Sequence, residues 1–217
     1  MSTPLRITIS LNIRPFRARK QVMIIRVSMI VLCAVMLFAT GAPPAFALPD
    51  EYLFCDPPRG WSVATKKANS KTAVMEILPD SEKANGWSQI ITVQTFYGRT
   101  DILPSQWCED FKAQMAEVCS DLSFSRITVF RDNGFSAARM MMYCPDLMDC
   151  ERVPDNLRKE KGEITYIKVI RGLNHFYVIQ RAWRGEPFED PSTSEMPKGL
   201  MTEWMKFFEK VQVHPAK

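Results

Sequence analysis

Histidine is nearly absent from this sequence: only His175 and His214 occur among 217 residues. There is no G-x-S-x-G, so a serine hydrolase lacks both its nucleophile turn and a supply of bases. No two cysteines have C-x-x-C spacing, which excludes a thioredoxin-type redox motif. Zinc is poorly served by two histidines and no closely spaced cysteine pair. Neither G-x-x-x-x-G-K-S/T nor G-x-G-x-x-G is present, so no phosphate-cradling loop is encoded. No resident metal or cofactor is expected.

Acidic residues are missing from the first 47 positions, where Arg6, Arg14, Arg17, Arg19, Lys20 and Arg26 stand. Removing those six from the 28 basic residues leaves 22 against 24 acidic, about −2 in place of the formal +4. The basic excess is therefore confined to the leader, and a nucleic-acid partner is not expected. The leader has the three parts of a secretory signal: the basic stretch, the apolar run Val27 to Thr40, and Ala45-Phe46-Ala47 after Pro43 and Pro44. Cleavage is expected after Ala47, with Met1 or Met23 as the start. The apolar run falls short of the roughly 20 residues of a membrane span. Membrane contact is thus expected only before cleavage, and the mature protein is expected to be periplasmic or secreted.

Beyond the leader, residues 48–217 suit one domain with a single core. They carry Cys55, Cys108, Cys119, Cys144 and Cys150. An odd number leaves one thiol free or paired between molecules.

Residues 48 to 58 read as irregular. Strands are predicted over Gly60 to Thr65, Thr72 to Leu78 and Trp87 to Tyr97, the last rich in β-branched and aromatic residues. The stripe Cys108, Phe111, Met115, Val118 and Cys119 predicts a helix over Leu103 to Cys119, opened by Pro104. Phe124 to Arg131 and Phe135 to Tyr143 flank Asn133-Gly134, a type I′ hairpin signal. After a polar connection over 144–162, Glu163 to Ile170 and Phe176 to Arg184 pair around Gly172-Leu173-Asn174. That register puts Thr165, Ile167 and Val169 beside Tyr177, Ile179 and Trp183, and both faces are apolar, as in a sheet covered on both sides. The last helix, Lys198 to Val211, buries Leu200, Trp204, Phe207, Phe208 and Val211. The expected fold is α+β: a mainly antiparallel sheet of six to seven strands with helices packed on it.

This order of elements, with Gly60-Trp61 near its start and Trp204 in its last helix, resembles the Mog1/PsbP-like α/β/α sandwich domains. The stretches 87–96 and 176–184 resemble patterns in bacterial envelope proteins. The resemblance implies an accessory or binding role and assigns no catalytic residue.

Several residues invite a chemical reading. Glu76 lies among Val74, Met75, Ile77 and Leu78, and Arg181 among Val178, Ile179, Ala182 and Trp183. They either pair with each other, reach solvent, or serve a site; a glycosidase needs two carboxylates facing one cleft. Trp61, Trp87, Trp183 and Trp204 are either core residues or a groove. Trp87, Gln94, Arg181, Trp183 and Arg184 make the candidate binding set. His175 reads as an exposed turn residue.

A disulfide is predicted from register. With Asn133 and Gly134 in the turn, Asp132 pairs with Phe135 and position 144 falls opposite Ser123. Cys119 ends the helix just before Ser123, which predicts Cys119 to Cys144, with Cys144 to Cys150 as the rival. The functional expectation is a non-enzymatic accessory domain binding a protein or envelope component. The alternative is a hydrolase or thiol enzyme using a free cysteine or Glu76.

Overall fold

The computed structural model describes residues 51–84, 86–116, 121–146 and 161–216. The expected leader and its expected cleavage site, Cys119 and Cys150 lie outside them. In chain order the elements are β1 (Glu51–Phe54), β2 (Trp61–Ala68), β3 (Thr72–Pro79), β4 (Gln89–Tyr97), α1 (Pro104–Ala116), β5 (Ser123–Phe124) and β6 (Thr128–Asp132). Then come β7 (Phe135–Cys144), β8 (Gly162–Arg171), β9 (His175–Gly185), α2 (Leu200–Lys210) and β10 (Gln212–Pro215).

The described strands form an eight-stranded antiparallel sheet, ordered β2-β3-β4-β9-β8-β7-β5, with β6 also paired to β7. β1 and β10 form a separate two-stranded ribbon. The fold is α+β, with more strands than the six to seven expected. Residues 51–54, read as irregular, and 212–215, for which no element is predicted, are short strands whose alternation covers too few positions to register as a pattern.

β8 is buried along almost its whole length, as a strand covered on both faces must be. On one face α2 lays Leu200, Trp204, Phe207 and Phe208 against the sheet. Full burial of side chains of this size contributes roughly 1.5–3 kcal/mol each. Val213 and Leu53 of the ribbon join the same cluster. On the other face α1 lies over β7 and β8. There Cys108 is buried in a cluster with Met140, Ile167 and Val178, with the half-buried Phe111 and Met115 packed against it, so the described part of the predicted stripe faces the sheet; Val118 and Cys119 lie outside the described residues.

The Asn133-Gly134 hairpin forms as expected, with φ of 47° and 85°, and pairs Asp132 with Phe135. The Asn133 amide also donates to the Val213 carbonyl at 2.8 Å, fastening the turn to β10.

Two registers differ from the sequence reading. The β8–β9 register is shifted by one, so Arg171 pairs with Phe176 and Thr165 with Ala182, and Gly172 N donates to His175 O at 2.9 Å across Leu173-Asn174. Thr165, Ile167 and Val169 therefore share a face with Phe176, Val178 and Ala182, and a one-residue slip exchanges faces. The reason lies far away in sequence: the Glu51 carboxylate accepts the backbone N–H groups of Leu173, Asn174 and His175 and holds the turn in this register.

The second difference lies beside β7. Ser123 pairs with Tyr143, not with position 144. Ser125 still follows that register, bonding to Met141 through its N–H and its hydroxyl. By Thr128, opposite Arg139, the register has moved by one, a bulge in the short strand. The geometric motive for Cys119 to Cys144 thus misses by one position. No disulfide joins the described cysteines 55, 108 and 144, and the Cys144 thiol lies 3.8 Å from the Asp146 carbonyl.

Candidate functional site

α1 lies mainly over β7 and β8 and reaches only Phe176 and Val178 at the start of β9. Over β3, β4 and β9 the same face carries a groove of about 330 Å³. Antiparallel register places Glu76, Thr92 and Gln180 side by side on one rung. The next rung towards the strand ends supplies an apolar floor of Leu78, Ile90 and Ala182. Beyond it stands a wall built by Trp87, Arg184 and Glu163.

The wall is rigid for stated reasons. Glu163 and Arg184 face each other across β8 and β9. Their side chains meet at 2.7 Å, and the Thr165 hydroxyl donates to the other Glu163 oxygen at 2.8 Å. The Arg184 guanidinium lies 3.9 Å from the centroid of the Trp87 ring, a cation–π stack. Trp87 is held by its loop: the Glu82 carboxylate accepts from Ser88 N at 2.7 Å and Gln89 N at 3.2 Å. Arg184 N donates to Ser88 O at 2.8 Å, closing the loop onto β9.

The rung of Glu76, Thr92 and Gln180 contrasts with the wall. All three are half-buried, and none of their side chains makes a hydrogen bond or ion pair among the described residues.

Of the candidate binding set, the structure brings Trp87 and Arg184 together and separates the rest. Gln94 lies on the same face two residues along β4 but is buried, with its amide nitrogen unpartnered among the described residues. Arg181 and Trp183 point to the opposite face. Trp183 is core, and a Cβ on Gly185 would overlap its ring. Arg181 is 2% exposed, enclosed by Trp61, Trp204 and Phe207 with ring centroids 5.2–5.8 Å away. Burial lowers its pKa to about 10, and Glu203, 3.9 Å away, opposes that shift. Glu76 and Arg181 do not pair, because Glu76 shares its rung with Gln180 and Arg181 with Ile91, on opposite faces. Of the four tryptophans considered, only Trp87 lines the groove.

Sequence reading passes over Glu163 because the expected register sets it opposite Trp183. The register shifted by one sets the unlike charges of Glu163 and Arg184 opposite each other, which is the signal that finds the pair.

His175 opens β9 rather than standing free in a turn. Its Nδ1 accepts from Gly98 N at 3.4 Å, and its ring packs edge-on to Tyr97 and Tyr177. His214, in β10, stacks on Tyr52. The thiols of Cys55, Cys108 and Cys144 are buried, and burial pushes each up to about 12. A shift in that direction disfavours the thiolate form. Among the described residues no group of three or more His, Cys, Asp or Glu is placed to hold a metal.

A central antiparallel sheet carries a helix on either face. No family model matches the chain, and no curated protein matches it either. The chain is similar to the solution structure of cyanobacterial PsbP (CyanoP) from Synechocystis sp. PCC 6803. Identity is 10% and the TM-score 0.42, over 82% of this chain and 99% of that one. It is also similar to a protein of Bacteroides thetaiotaomicron VPI-5482 known from a crystal structure, at 8% identity and a TM-score of 0.39. That match takes in 77% of this chain but 46% of the Bacteroides chain, so the present chain spans about half its length. Likenesses at this level say nothing of activity.

Proposed function

We propose that this chain is an exported, non-enzymatic accessory domain that binds a protein or envelope component through the groove over β3, β4 and β9. The observation that carries the reading is the rung of Glu76, Thr92 and Gln180. Three polar side chains without partners among the described residues face a cavity whose opposite wall is formed by the Trp87–Arg184–Glu163 stack. Pre-set walls around unsatisfied polar groups suit recognition, since little ordering is left to the moment of binding.

Binding is favoured over carboxylate catalysis by spacing. Three strand spacings and four residues separate Glu76 from Glu163, roughly 20 Å at the backbone. Glycosidase pairs stand about 5–9.5 Å apart at their carboxyls. Glu163 is moreover engaged by Arg184 and Thr165.

Export rests on the leader, with Leu48 as the expected mature N-terminus; N-terminal sequencing of the protein recovered from the producing cell tests that. The groove is tested by capture from envelope extract with tagged wild type, Trp87→Ala and Gln180→Ala. A component held by wild type and lost from both variants is the expected result. A component retained equally by all three would remove the groove from the reading.

A further inference from the structure

We infer that the groove receives the charged end of a lysine or arginine side chain presented by the bound partner, an inference that rests on the groove being the binding surface. Charge leads to it first. Three ionic side chains line the groove, and two of them, Arg184 and Glu163, neutralise each other at 2.7 Å. The second Glu163 oxygen is taken by Thr165. The remaining charge is the Glu76 carboxylate, which has neither ion pair nor hydrogen bond among the described residues. A half-buried carboxylate in this setting favours a cation at hydrogen-bond distance.

Neighbouring chemistry agrees. Thr92 and Gln180 stand on the Glu76 rung and add oxygen acceptors for the further N–H groups of an ammonium or guanidinium. The apolar floor of Leu78, Ile90 and Ala182 runs from that rung to the wall. A long aliphatic stem with a charged tip matches a floor that is apolar along its length and anionic at one end. The volume of about 330 Å³ is at the small end for ligand pockets and accommodates one extended side chain. An anionic group fits poorly, since Arg184 is already engaged and Glu76 repels it. A neutral sugar would look to the Trp87 ring for stacking, but Arg184 lies 3.9 Å from its centroid.

The test is an NMR titration of the processed full chain, read at the Trp87 indole N–H and at the β3 and β4 amides flanking Glu76. The probes are Nα-acetyl-lysine amide, Nα-acetyl-norleucine amide, which keeps the stem without the charge, and a trimer of N-acetylglucosamine. Saturable shifts with the lysine probe, roughly tenfold weaker binding in Glu76→Gln, and weak or no binding of the norleucine probe are expected. Glu76→Asp should retain part of the affinity, which separates loss of charge from loss of fold. Equal binding of lysine and norleucine probes, or unchanged binding in Glu76→Gln, overturns the cation. Saccharide binding at the same resonances without lysine binding also overturns it while leaving the groove as a binding surface. If no probe shifts these resonances and capture is unaffected by Trp87→Ala, the cation and the groove both fall.

Discussion

Glu51 and His175 are 124 positions apart, yet a Glu51 oxygen accepts the His175 backbone N–H at 2.9 Å. The same carboxylate accepts from Leu173 and Asn174 and from the Tyr177 hydroxyl. Glu51 is 1% exposed, a buried charge whose partners are almost entirely main-chain donors. A Cβ added to Gly172 would overlap this carboxylate, so the turn requires glycine there for space.

Glu51→Ala is expected to destabilise the protein by about 3 kcal/mol, because several backbone donors lose a charged acceptor at once. Gly172→Ala in the wild-type background should cost a comparable amount through overlap. Combined, the two should cost less than their sum, since removal of the carboxylate makes room for the methyl group. Urea unfolding of the four proteins measures this; strict additivity would show that the two residues do not meet.

Lys168 is buried beneath α2, with Nζ 2.9 Å from Asp132. It donates to the Phe208 and Val211 carbonyls at 2.8 and 2.7 Å, at the end of α2 where helical carbonyls lack partners. Lys168→Met should cost about 3–5 kcal/mol, since it strands a buried carboxylate and two carbonyls. Adding Asp132→Asn should recover part of the loss, as judged by denaturant midpoints. A single-variant loss below about 1 kcal/mol would mean that water already serves these groups.

Arg181 presents the opposite case. Among the described residues its Nε has no hydrogen bond and its one ionic partner is Glu203, exposed and 3.9 Å away. Burial of the guanidinium is thus weakly compensated, apart from the three rings around it. Arg181→Met is expected to change stability by less than about 1 kcal/mol or to raise it. A thermal unfolding midpoint lower by more than about 8 °C would instead credit the ring contacts with a larger share.

Buried thiols set an alkaline limit. Burial raises Cys55 and Cys108 from 9.0 to about 12, so the folded state keeps protons that the unfolded state releases. Their stabilisation is complete below pH 9 and is lost as pH rises towards 12. Well inside that window the slope approaches about −1.4 kcal/mol per pH unit for each thiol. Denaturant unfolding between pH 8 and 10.5 should show stability falling with pH, and Cys108→Ala should flatten the fall. An identical slope in that variant would place the Cys108 proton release elsewhere.

Much of the fold could be read directly from local pattern. The β-branched run of β4, the Asn133-Gly134 turn, the α1 stripe and the apolar side of α2 each rest on residues within a dozen positions of one another. Local periodicity reports such elements because one face of each is buried. The α+β class followed from the hairpin order, and the coverage of both sheet faces from the two apolar faces of β8.

The candidate site was legible only in pieces. Trp87, Arg184 and Glu76 were visible as unusual residues, but a list cannot say which share a face. That assignment depended on the register across the turn between Arg171 and Phe176, where a shift of one residue exchanges every side chain between α1 and α2. The register is held by Glu51, a residue distant in the chain that carries no pattern of its own. Hence composition and periodicity determined the layers, while long-range hydrogen bonds decided the register. Register placed Trp87, Arg184 and Glu163 in one groove and sent Arg181 and Trp183 into the core beneath α2.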